Sequence, residues 1–469
     1  MTPPAPTVSH THVLRLRAAA DAIDAVTVAL RDAGGVVVAV PGLRTTAPQG
    51  TVEVAFRAAD AGDAARLCGV VGALPDVEVV EDIDVVLDRH AGGKLRITAT
   101  SSVHDLTDLA FVYTPGVARP CLDIAADPRL AYELTIKRNA VAIISDGSAV
   151  LGLGDIGALA AMPVMEGKAI LLRDLAGVDA YPLCLDERDP DKLVDMIAAM
   201  STGFAGINLE DISAPRCFEI EGKLRQRLDI PVFHDDQHGT AVVVLAALIN
   251  AVAVVGKAIG PDLRVVVQGV GAAGIAVANL LMAAGVTDVV GVDREGIVTA
   301  RRKDARDPIF RRFGKQTNPR QLTGGQAQAL EGADVFIGLS AGNTLSAEAV
   351  QSMAPAAIVF AMANPTPEID PVLARQHAAV VATGRSDFPN QINNVLCFPG
   401  LFRGLLDVRA KTVNDELKLA AAAAIAGIVG EDERGPEMII PSPLDRRVVP
   451  AVAQAVAVTA AATGVARST

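Results

Sequence analysis

The chain has 469 residues, a formal net charge of −12 and 51% hydrophobic residues, with no tryptophan. A chain of this length holds about three domains of ordinary size. Its acidity, without any block of basic residues, argues against a nucleic-acid partner, because a phosphate backbone requires a positively charged surface. The Ala- and Val-rich composition instead favours parallel sheets covered by helices, and an enzyme.

The cysteines and the apolar runs exclude further classes of protein. The five cysteines are scattered without a CxxC pair, so we expect neither a disulfide framework nor a thiolate metal site, and a cytoplasmic location. The amino terminus, MTPPAPTVSH, lacks the positive start and apolar stretch of a signal peptide. Two apolar runs, 241–256 and 448–466, fall short of the roughly 20 strongly apolar residues of a membrane span. We therefore expect buried helices there and no membrane partner.

The first region, residues 1–92, is predicted to be a small ferredoxin-like domain. The chain reads strand VLRLR, an Ala-rich helix, strands VVVAV and TVEVAF, a helix from Asp60 and strand VEVVEDIDVVL, which is the order βαββαβ. Gly92-Gly93 then marks a linker. Because no cluster of catalytic side chains is visible in this region, we expect a regulatory or dimerising module.

The second region, residues 93–250, alternates helical stretches with the strands AVAIIS, YPLCL, AGINL and PVFH, which predicts an α/β domain with a largely parallel sheet. Two acidic pairs, Glu210-Asp211 and Asp235-Asp236, follow its last two strands. Ligands bind at the carboxyl ends of parallel strands, and clustered carboxylates repel each other unless a cation lies between them. The pairs therefore predict a site for a hard metal ion. The alternative, that these acids cap helices, suits one pair better than two.

The third region, residues 251–410, is predicted to be a doubly wound, Rossmann-type NAD(P) domain. Gly269-Val270-Gly271-Ala272-Ala273-Gly274 directly follows strand RVVVQ and opens a helix, where glycines let a pyrophosphate approach the helix amino terminus. Asp293 ends the next strand and can accept both ribose hydroxyls, which favours NAD. Arg294 leaves NADP open, because a guanidinium can pair with a 2′-phosphate. Residues 411–469 hold Ala-rich helical stretches that we expect to pack back on the catalytic core.

A second glycine-rich match, GLGDIG at 152–157, is interpreted differently. It also follows an apolar run, but Asp155 would place a negative charge among the amides that hold a pyrophosphate. We therefore expect a tight strand-to-helix turn that helps to shape a substrate pocket.

Several segments closely resemble the signature segments of malic enzymes, in that family's order, from about residue 94 to the carboxyl terminus. The resemblance implies oxidative decarboxylation of L-malate to pyruvate and CO₂ with reduction of NAD(P), in a homodimer or larger homo-oligomer. The first domain resembles the ACT-type modules of some bacterial members, which implies a small-molecule effector. The segments are VYTPGVARP (112–120), LGLGDIGALAAMPVMEGK (151–168), NLEDI (208–212), FHDDQHGTA (233–241), GVGAAG (269–274), ANP (363–365) and NNVLCFPG (393–400).

The resemblance also implies the metal ligands and the general base. Glu210, Asp211 and Asp236 would bind Mg²⁺ or Mn²⁺, in agreement with the preference of hard cations for oxygen. Lys168 would take the proton from the C2 hydroxyl of malate. That role requires a neutral amine, which we expect burial and the nearby metal to provide by lowering its pKa.

Five further residues receive roles from the resemblance. Tyr113 would be the general acid that protonates the enolate left by decarboxylation, although a tyrosine before Thr-Pro-Gly also suits a simple turn. Asp235 would pair with Lys168 and tune it. Asn364 and Asn394 would contact the substrate or the nicotinamide ribose, with Asn393 next in order, because amides both donate and accept hydrogen bonds.

The sequence leaves some alternatives open. Larger members of the family carry a substrate-clamping arginine just before LGLGD, where this chain has Ser148-Ala149-Val150, so the group that neutralises the distal carboxylate of malate is not identified. HDDQH at 234–238 resembles the zinc motif H-E-x-x-H, although its acid is Asp and it begins on a strand. The remaining alternatives are malolactic chemistry, in which NADH is retained and lactate released, and an inactive metabolite sensor.

Overall fold

The structure is a computed structural model that describes residues 10–19, 22–40, 43, 47–302 and 308–467. The chain divides into two compact units, Met1–Arg96 and Ile97–Thr469. Most of the amino-terminal stretch used in the signal-peptide argument, residues 1–9, lies outside the described residues.

The amino-terminal unit has the predicted βαββαβ order, followed by one short helix. Its strands are β1 His10–Ala18, β2 Val36–Val38, β3 Val52–Ala58 and β4 Val77–Asp84. Its helices are α1 Ala22–Asp32, α2 Ala61–Gly72 and α3 Val85–His90. The strands form an antiparallel sheet in the order β2-β3-β1-β4, and the core lies between one face of this sheet and helices α1 and α2.

Strand β4 ends earlier than the sequence predicts. The carboxylate of Asp84 accepts hydrogen bonds from the backbone N–H groups of Val86 and Leu87, at 2.9 and 3.0 Å. This is the geometry of a helix N-cap, so the apolar VVL that reads as the end of a strand begins helix α3 instead.

The larger unit contains two sheets of the predicted α/β type. Its strands are β5 Ala140–Ser145, β6 Asp179–Cys184, β7 Gly206–Leu209, β8 Val232–His234, β9 Arg264–Gln268, β10 Asp288–Asp293, β11 Gly296–Ile297, β12 Val335–Gly338, β13 Ile358–Ala361 and β14 Val380–Thr383. The first sheet is parallel in the order β6-β5-β7-β8. The second has the order β11-β10-β9-β12-β13-β14 and is parallel except for β11.

Helices cover both sheets, which explains why strands such as β5, apolar up to its last residue Ser145, are buried on both faces. The helices are α4 Leu106–Val112, α5 Ala118–Ala126, α6 Ala131–Leu134, α7 Ala158–Ala176, α8 Pro190–Met200, α9 Arg216–Arg227, α10 Thr240–Val254, α11 Ala272–Ala283, α12 Pro308–Gln316, α13 Gln326–Leu330, α14 Ala347–Gln351, α15 Pro371–Ala374, α16 Phe398–Asp407, α17 Asp415–Ala426 and α18 Val448–Ala462.

The apolar runs of the sequence form core helices. Among the described residues one helical stretch, Asp235–Val254, is long and apolar enough to span a membrane, but 72% of its most apolar window is buried inside the protein. Helix α10 in this stretch packs against α11 and α17, and α18 packs against α16 and α17. The side chain of Asn250 on α10 donates hydrogen bonds to the carbonyl oxygens of Ala426 and Ile439, both at 2.9 Å. A polar side chain therefore fixes this helix to the carboxyl-terminal region.

We expect Asn250→Ala to destabilise the larger unit. Asn250 is 1% exposed, so its removal leaves the carbonyl group of Ile439 without its donor, at a cost of about 1–3 kcal/mol for an unsatisfied group. Ala426 loses one of its two donors, because its carbonyl oxygen also accepts from the N–H of Val429 at 3.2 Å. Urea unfolding of the full chain, followed by far-ultraviolet circular dichroism, measures the loss. The control is Gln454→Ala on α18, where the side chain is exposed and little change is expected. Equal urea concentrations at the unfolding midpoint for the two variants would contradict this role of Asn250.

Candidate active site

The two acidic pairs lie at the ends of neighbouring parallel strands. Glu210 and Asp211 directly follow β7, and Asp235 and Asp236 directly follow β8, which pairs with β7. One carboxylate oxygen from each of Glu210, Asp211 and Asp236 lies within 4.8 Å of the other two. The structure therefore brings together the three carboxylates that the sequence singled out, which we call the carboxylate cluster.

The backbone at both strand ends is shaped to bring these carboxylates together. Asp211 has a left-handed φ of +54°, its N–H donates to Oδ2 of Asp236 at 2.8 Å, and its carbonyl oxygen accepts from the N–H of Ala149 at 3.0 Å. Asp235 begins a turn of π-helix, a geometry often found at functional sites. Gly239 closes that turn because any Cβ there would lie 1.9 Å from Oδ1 of Asp235.

Lys168 joins the carboxylate cluster from helix α7. Its Nζ lies 2.8 Å from Oε1 of Glu210 and 2.5 Å from Oδ2 of Asp235. The Lys168 side chain is 10% exposed and Asp235 is fully buried. The predicted general base thus contacts one member of the carboxylate cluster and the acid expected to pair with it.

The carboxylate cluster has the properties of a cation site. Burial, with the negative charges of the neighbouring acids, raises the pKa of Glu210 well above its usual value, although Lys168 opposes this. Burial and the charge of Asp236 raise the pKa of Asp211 to about 8. Oδ2 of Asp211 is buried, and none of the residues that the structure describes donates a hydrogen bond to it. A divalent cation would satisfy this oxygen and remove the repulsion, and three carboxylates form the donor set that Mg²⁺ and Mn²⁺ prefer.

The pKa of Lys168 is raised, which is opposite to the direction expected from the sequence. Burial on its own lowers this pKa, but the carboxylates of Asp235 and Glu210 outweigh burial. The two carboxylates favour the charged amine because both lie within hydrogen-bonding distance of Nζ.

The two adjacent asparagines differ in what they contact. Nδ2 of Asn394 donates to Oδ2 of Asp235 at 3.2 Å, and Oδ1 of Asn394 accepts from the hydroxyl of Thr240 at 3.2 Å. The side chain of Asn393 instead accepts from the N–H of Val395 and caps a short 3₁₀ turn. Asn394 is therefore part of the site, whereas Asn393 holds the turn that positions it.

The GLGDIG stretch forms the expected turn before α7. Gly152, Gly154 and Gly157 all have positive φ, and a bridge pairs Val150 with Gly154. A Cβ on Gly152 would lie 3.4 Å from the carbonyl oxygen of Asn364, which follows β13 and is exposed. The loop of the first sheet therefore lies beside the carboxyl end of the second sheet.

Two arginines that sequence reasoning missed hold this loop. Asp146 is fully buried after β5, pairs with Arg216, and lies 3.7 Å from Arg188. Arg188 also contacts Asp155 at 2.7 Å, and the hydroxyl of Ser148 donates to Asp146 at 2.5 Å. The two arginines lie more than 30 residues from these acids in the chain, so no local pattern marks the pairs.

Tyr113 is separate from this network. It follows the last residue of α4, and its side chain is 64% exposed. Within the described residues, no hydrogen bond joins its hydroxyl group to Lys168 or to the carboxylate cluster.

The glycine-rich loop between β9 and α11 has the geometry of a dinucleotide site. A Cβ on Gly274 would lie 1.9 Å from the carbonyl oxygen of Gly269, and a Cβ on Gly269 would lie 2.5 Å from that of Leu339. Both positions therefore require glycine. Gly271 faces open space and precedes helix α11, which starts with Ala272 and Ala273. The backbone is thus open to a phosphate at the helix amino terminus.

A cavity of about 1030 Å³ lies beside this loop. It is lined by Gly269, Val270 and Gly271 and also by Asp293 and Arg294. Oδ1 of Asp293 lies 2.7 Å from the guanidinium of Arg302, a second arginine that the sequence did not single out. The cavity therefore contains both the acid that favours NAD and basic groups that suit a 2′-phosphate.

The geometry does not favour the zinc alternative. Nε2 of His238 pairs with Glu221 at 2.9 Å, and His234 is fully buried with Nδ1 3.7 Å from Asp236. Over the described part of the chain, the groups that could hold a metal do not include either histidine.

Known proteins match most of the length of this chain. The family model described as malic enzyme, N-terminal domain, matches residues 92–225, and that described as malic enzyme, NAD binding domain, matches residues 237–463. The chain is 52% identical over 439 residues to the NAD-dependent malic enzyme of Geobacillus stearothermophilus, covering 94% of this chain and 91% of that protein. It is 51% identical over 378 residues to the bifunctional malic/malolactic enzyme of Bacillus subtilis, covering 80% of this chain and 92% of that protein. The crystal structure of malic enzyme from Pyrococcus horikoshii aligns with a TM-score of 0.77 and 48% identity, covering 80% of this chain and 89% of that one.

We expect Mn²⁺ binding at the carboxylate cluster to release protons and to tighten as the pH rises through about 8. The raised pKa of Asp211 keeps this carboxyl protonated below that pH, and the proton must leave before the oxygen can bind a cation. Calorimetric titration in two buffers with different ionisation enthalpies measures the number of protons released. Asp211→Asn should weaken binding and reduce this release, and Glu210, whose pKa is also raised, accounts for any release that remains. Asp174→Asn, at an exposed position on α7, should change neither. Binding without proton release would contradict the assignment.

Proposed function

The chain belongs to the malic enzyme family, and we propose that Lys168, Asp235 and the carboxylate cluster form its active site. The protein catalyses the oxidative decarboxylation of L-malate to pyruvate and CO₂ with reduction of NAD(P). The observation that carries the site assignment is the contact of buried Lys168 with both Glu210 and Asp235 at the ends of two neighbouring strands.

Glu210, Asp211 and Asp236 are the proposed ligands of Mg²⁺ or Mn²⁺. When bound, the cation would supply a Lewis acid for the oxygens of the hydroxy acid. The all-oxygen donor set and the unpaired buried oxygen of Asp211 support this choice.

Lys168 is the proposed base for the C2 hydroxyl of malate. Nζ must be neutral when it accepts the proton. Burial favours the neutral amine, whereas the carboxylates of Asp235 and Glu210 oppose it, and a cation bound at Glu210 would weaken that opposition. Asp235 holds Nζ on one side and is itself held by the amide of Asn394. Asp235 and Asn394 therefore orient the base, and Asn393 supports Asn394. Asn364, which follows β13, is the further proposed contact for the substrate or the nicotinamide ribose.

Tyr113 is the proposed acid that returns a proton to the enolate carbon. It lies among exposed apolar side chains of α4 and α5, of which Leu106 is 82%, Phe111 74% and Leu122 71% exposed. Exposed apolar patches of this kind commonly mark protein interfaces. We propose that a second copy covers this face in a homodimer or larger homo-oligomer, because a proton donor open to bulk water leaves the site incomplete.

We also propose a preference for NAD and a cytoplasmic location. A carboxylate at Asp293 can bind both ribose hydroxyls and repels a 2′-phosphate, although Arg302 partly neutralises it. The cysteines are free, which suits a reducing compartment. The amino-terminal unit is the proposed place for an effector.

The absorbance of reduced nicotinamide, followed with L-malate and Mn²⁺, tests the function directly. We expect formation of NADH in excess over NADPH, with matching pyruvate, and its loss on addition of EDTA. The similarity to a bifunctional malic/malolactic enzyme makes lactate the second product to assay. Lactate release without net NADH would replace the oxidative reaction by the malolactic one, and no turnover at all would contradict the proposed site.

We expect Lys168→Ala and Tyr113→Phe to lower kcat by about 10²- to 10⁴-fold each, because each variant removes one proton transfer. The matched controls are Lys192→Ala, at an exposed position on α8, and Tyr181→Phe, whose ring packs against Phe204. Circular dichroism and Mn²⁺ binding should be unchanged in the Tyr113 variant. A variant that keeps wild-type kcat would exclude that residue from its proposed role.

A further inference from the structure

The amino-terminal unit contains a second group of metal-ligand side chains, which the sequence analysis did not detect. His10 and His12 alternate on β1, so they point to the same face of the sheet. Asp84 on β4 lies directly opposite His12 in the antiparallel pairing. One ligand atom from each of His10, His12 and Asp84 lies within 4.8 Å of the other two, and all three residues are partly buried.

Hydrogen bonding does not explain this group. Nε2 of His12 lies 4.0 Å from Oδ2 of Asp84, which is too long for a hydrogen bond. Oδ1 of Asp84 accepts the N–H groups at the start of α3, so Oδ2 remains available. In the described part of the chain, the side chain of His10 makes no hydrogen bond or ion pair. The three polar side chains therefore lie close together without forming hydrogen bonds to one another.

The orientation of His12 is fixed from its other ring nitrogen. Nδ1 of His12 lies 2.7 Å from Oδ1 of Asp82, and the thiol of Cys68 donates to Oδ2 of Asp82 at 3.2 Å. A carboxylate accepts and cannot donate, so Nδ1 carries a proton, and in the neutral imidazole the lone pair of Nε2 points toward Asp84. Histidines that bind metals are commonly held by a carboxylate in this way.

We propose that His10, His12 and Asp84 form a binding site for a divalent transition-metal ion such as Zn²⁺, with Asp82 as the residue that positions His12. Two imidazole nitrogens and one carboxylate oxygen suit Zn²⁺ and leave a fourth position open. Ligand atoms of one Zn²⁺ lie about 3–4 Å apart, because each bond is about 2.0–2.2 Å long, so small side-chain movements would close the site.

This ligand set differs in kind from the carboxylate cluster. Mg²⁺ binds oxygen and dehydrates reluctantly, so a site with two imidazoles does not retain it. Excess Mg²⁺ should therefore occupy the carboxylate cluster and leave the amino-terminal site free for Zn²⁺. The two sites can be distinguished in the full chain without dividing it.

The test is calorimetric titration of the full-length protein with Zn²⁺ in the presence of excess Mg²⁺. We expect one Zn²⁺ equivalent, and at least a tenfold loss of affinity in His10→Asn and in Asp84→Asn, where the new Asn can still cap α3. Asp82→Asn should lower the affinity by about 10- to 100-fold, the usual effect of losing a carboxylate that holds a metal-binding histidine. His90→Gln, in the same unit but outside the group, is the matched control and should bind as the wild type does.

Co²⁺ provides an independent readout of the ligands. The visible absorption of the Co²⁺-loaded protein should change in His12→Gln and in Asp82→Asn and stay the same in His90→Gln. Because His12 stacks on Phe56, its replacement can disturb the fold, and His10→Asn then provides the decisive measurement. Absence of a Zn²⁺ equivalent in excess Mg²⁺, or an equivalent that His10→Asn and Asp84→Asn leave unchanged, would overturn the proposal.

Discussion

Repulsion among buried carboxylates at the ends of β7 and β8 is the constraint to which the rest of the larger unit responds. The parallel pairing of the two strands places four acids at one edge of the sheet. Lys168 neutralises part of this charge through Glu210 and Asp235, but one amine cannot balance four carboxylates. The remaining negative charge requires bound protons or a cation, and the raised pKa of Asp211 is the response of this carboxyl group to that charge and to burial.

The second sheet contributes to this edge as well as binding the dinucleotide. The turn after β14 carries Asn394, whose amide reaches Asp235. The carbonyl group of Asn364 after β13 lies next to the loop at Gly152. The carboxyl ends of two parallel sheets therefore meet, and the group that holds the lysine is shared between them. This arrangement explains why the dinucleotide domain and the domain that carries the carboxylate cluster occur in one compact unit.

Local features of this fold could be predicted from the sequence, and contacts between distant residues could not. The ends of the apolar runs at Leu209 and His234 located the acids, and the requirement for glycine at positions 269 and 274 follows from short-range sterics. The raised pKa of Lys168 was not predictable, because Asp235 lies 67 residues away in the chain. The role of Asp146 with Arg216 depends on a separation of 70 residues.

In the amino-terminal unit, too, the important contact joins residues that are distant in the sequence and could not be predicted from it. Taken singly, each histidine of β1 looks like an ordinary strand residue. The sequence pattern that indicates the metal-ligand group is the pair of alternating segments HTH at 10–12 and DID at 82–84. Their significance depends on the register that sets His12 opposite Asp84, which the sequence does not specify. The early end of β4 has a similar origin, since a capping carboxylate outweighs the strand propensity of VVL.

The carboxylate cluster links the stability of the larger unit to the proposed cation. A carboxyl group whose pKa rises from about 3.9 in the unfolded chain binds its proton more tightly when folded. For Asp211, with a folded pKa of about 8, the folded state therefore loses stability as the pH rises between those two values. A cation that binds only the folded state compensates by mass action. The residues that make the site chemically useful thus make the fold depend on occupancy of the site.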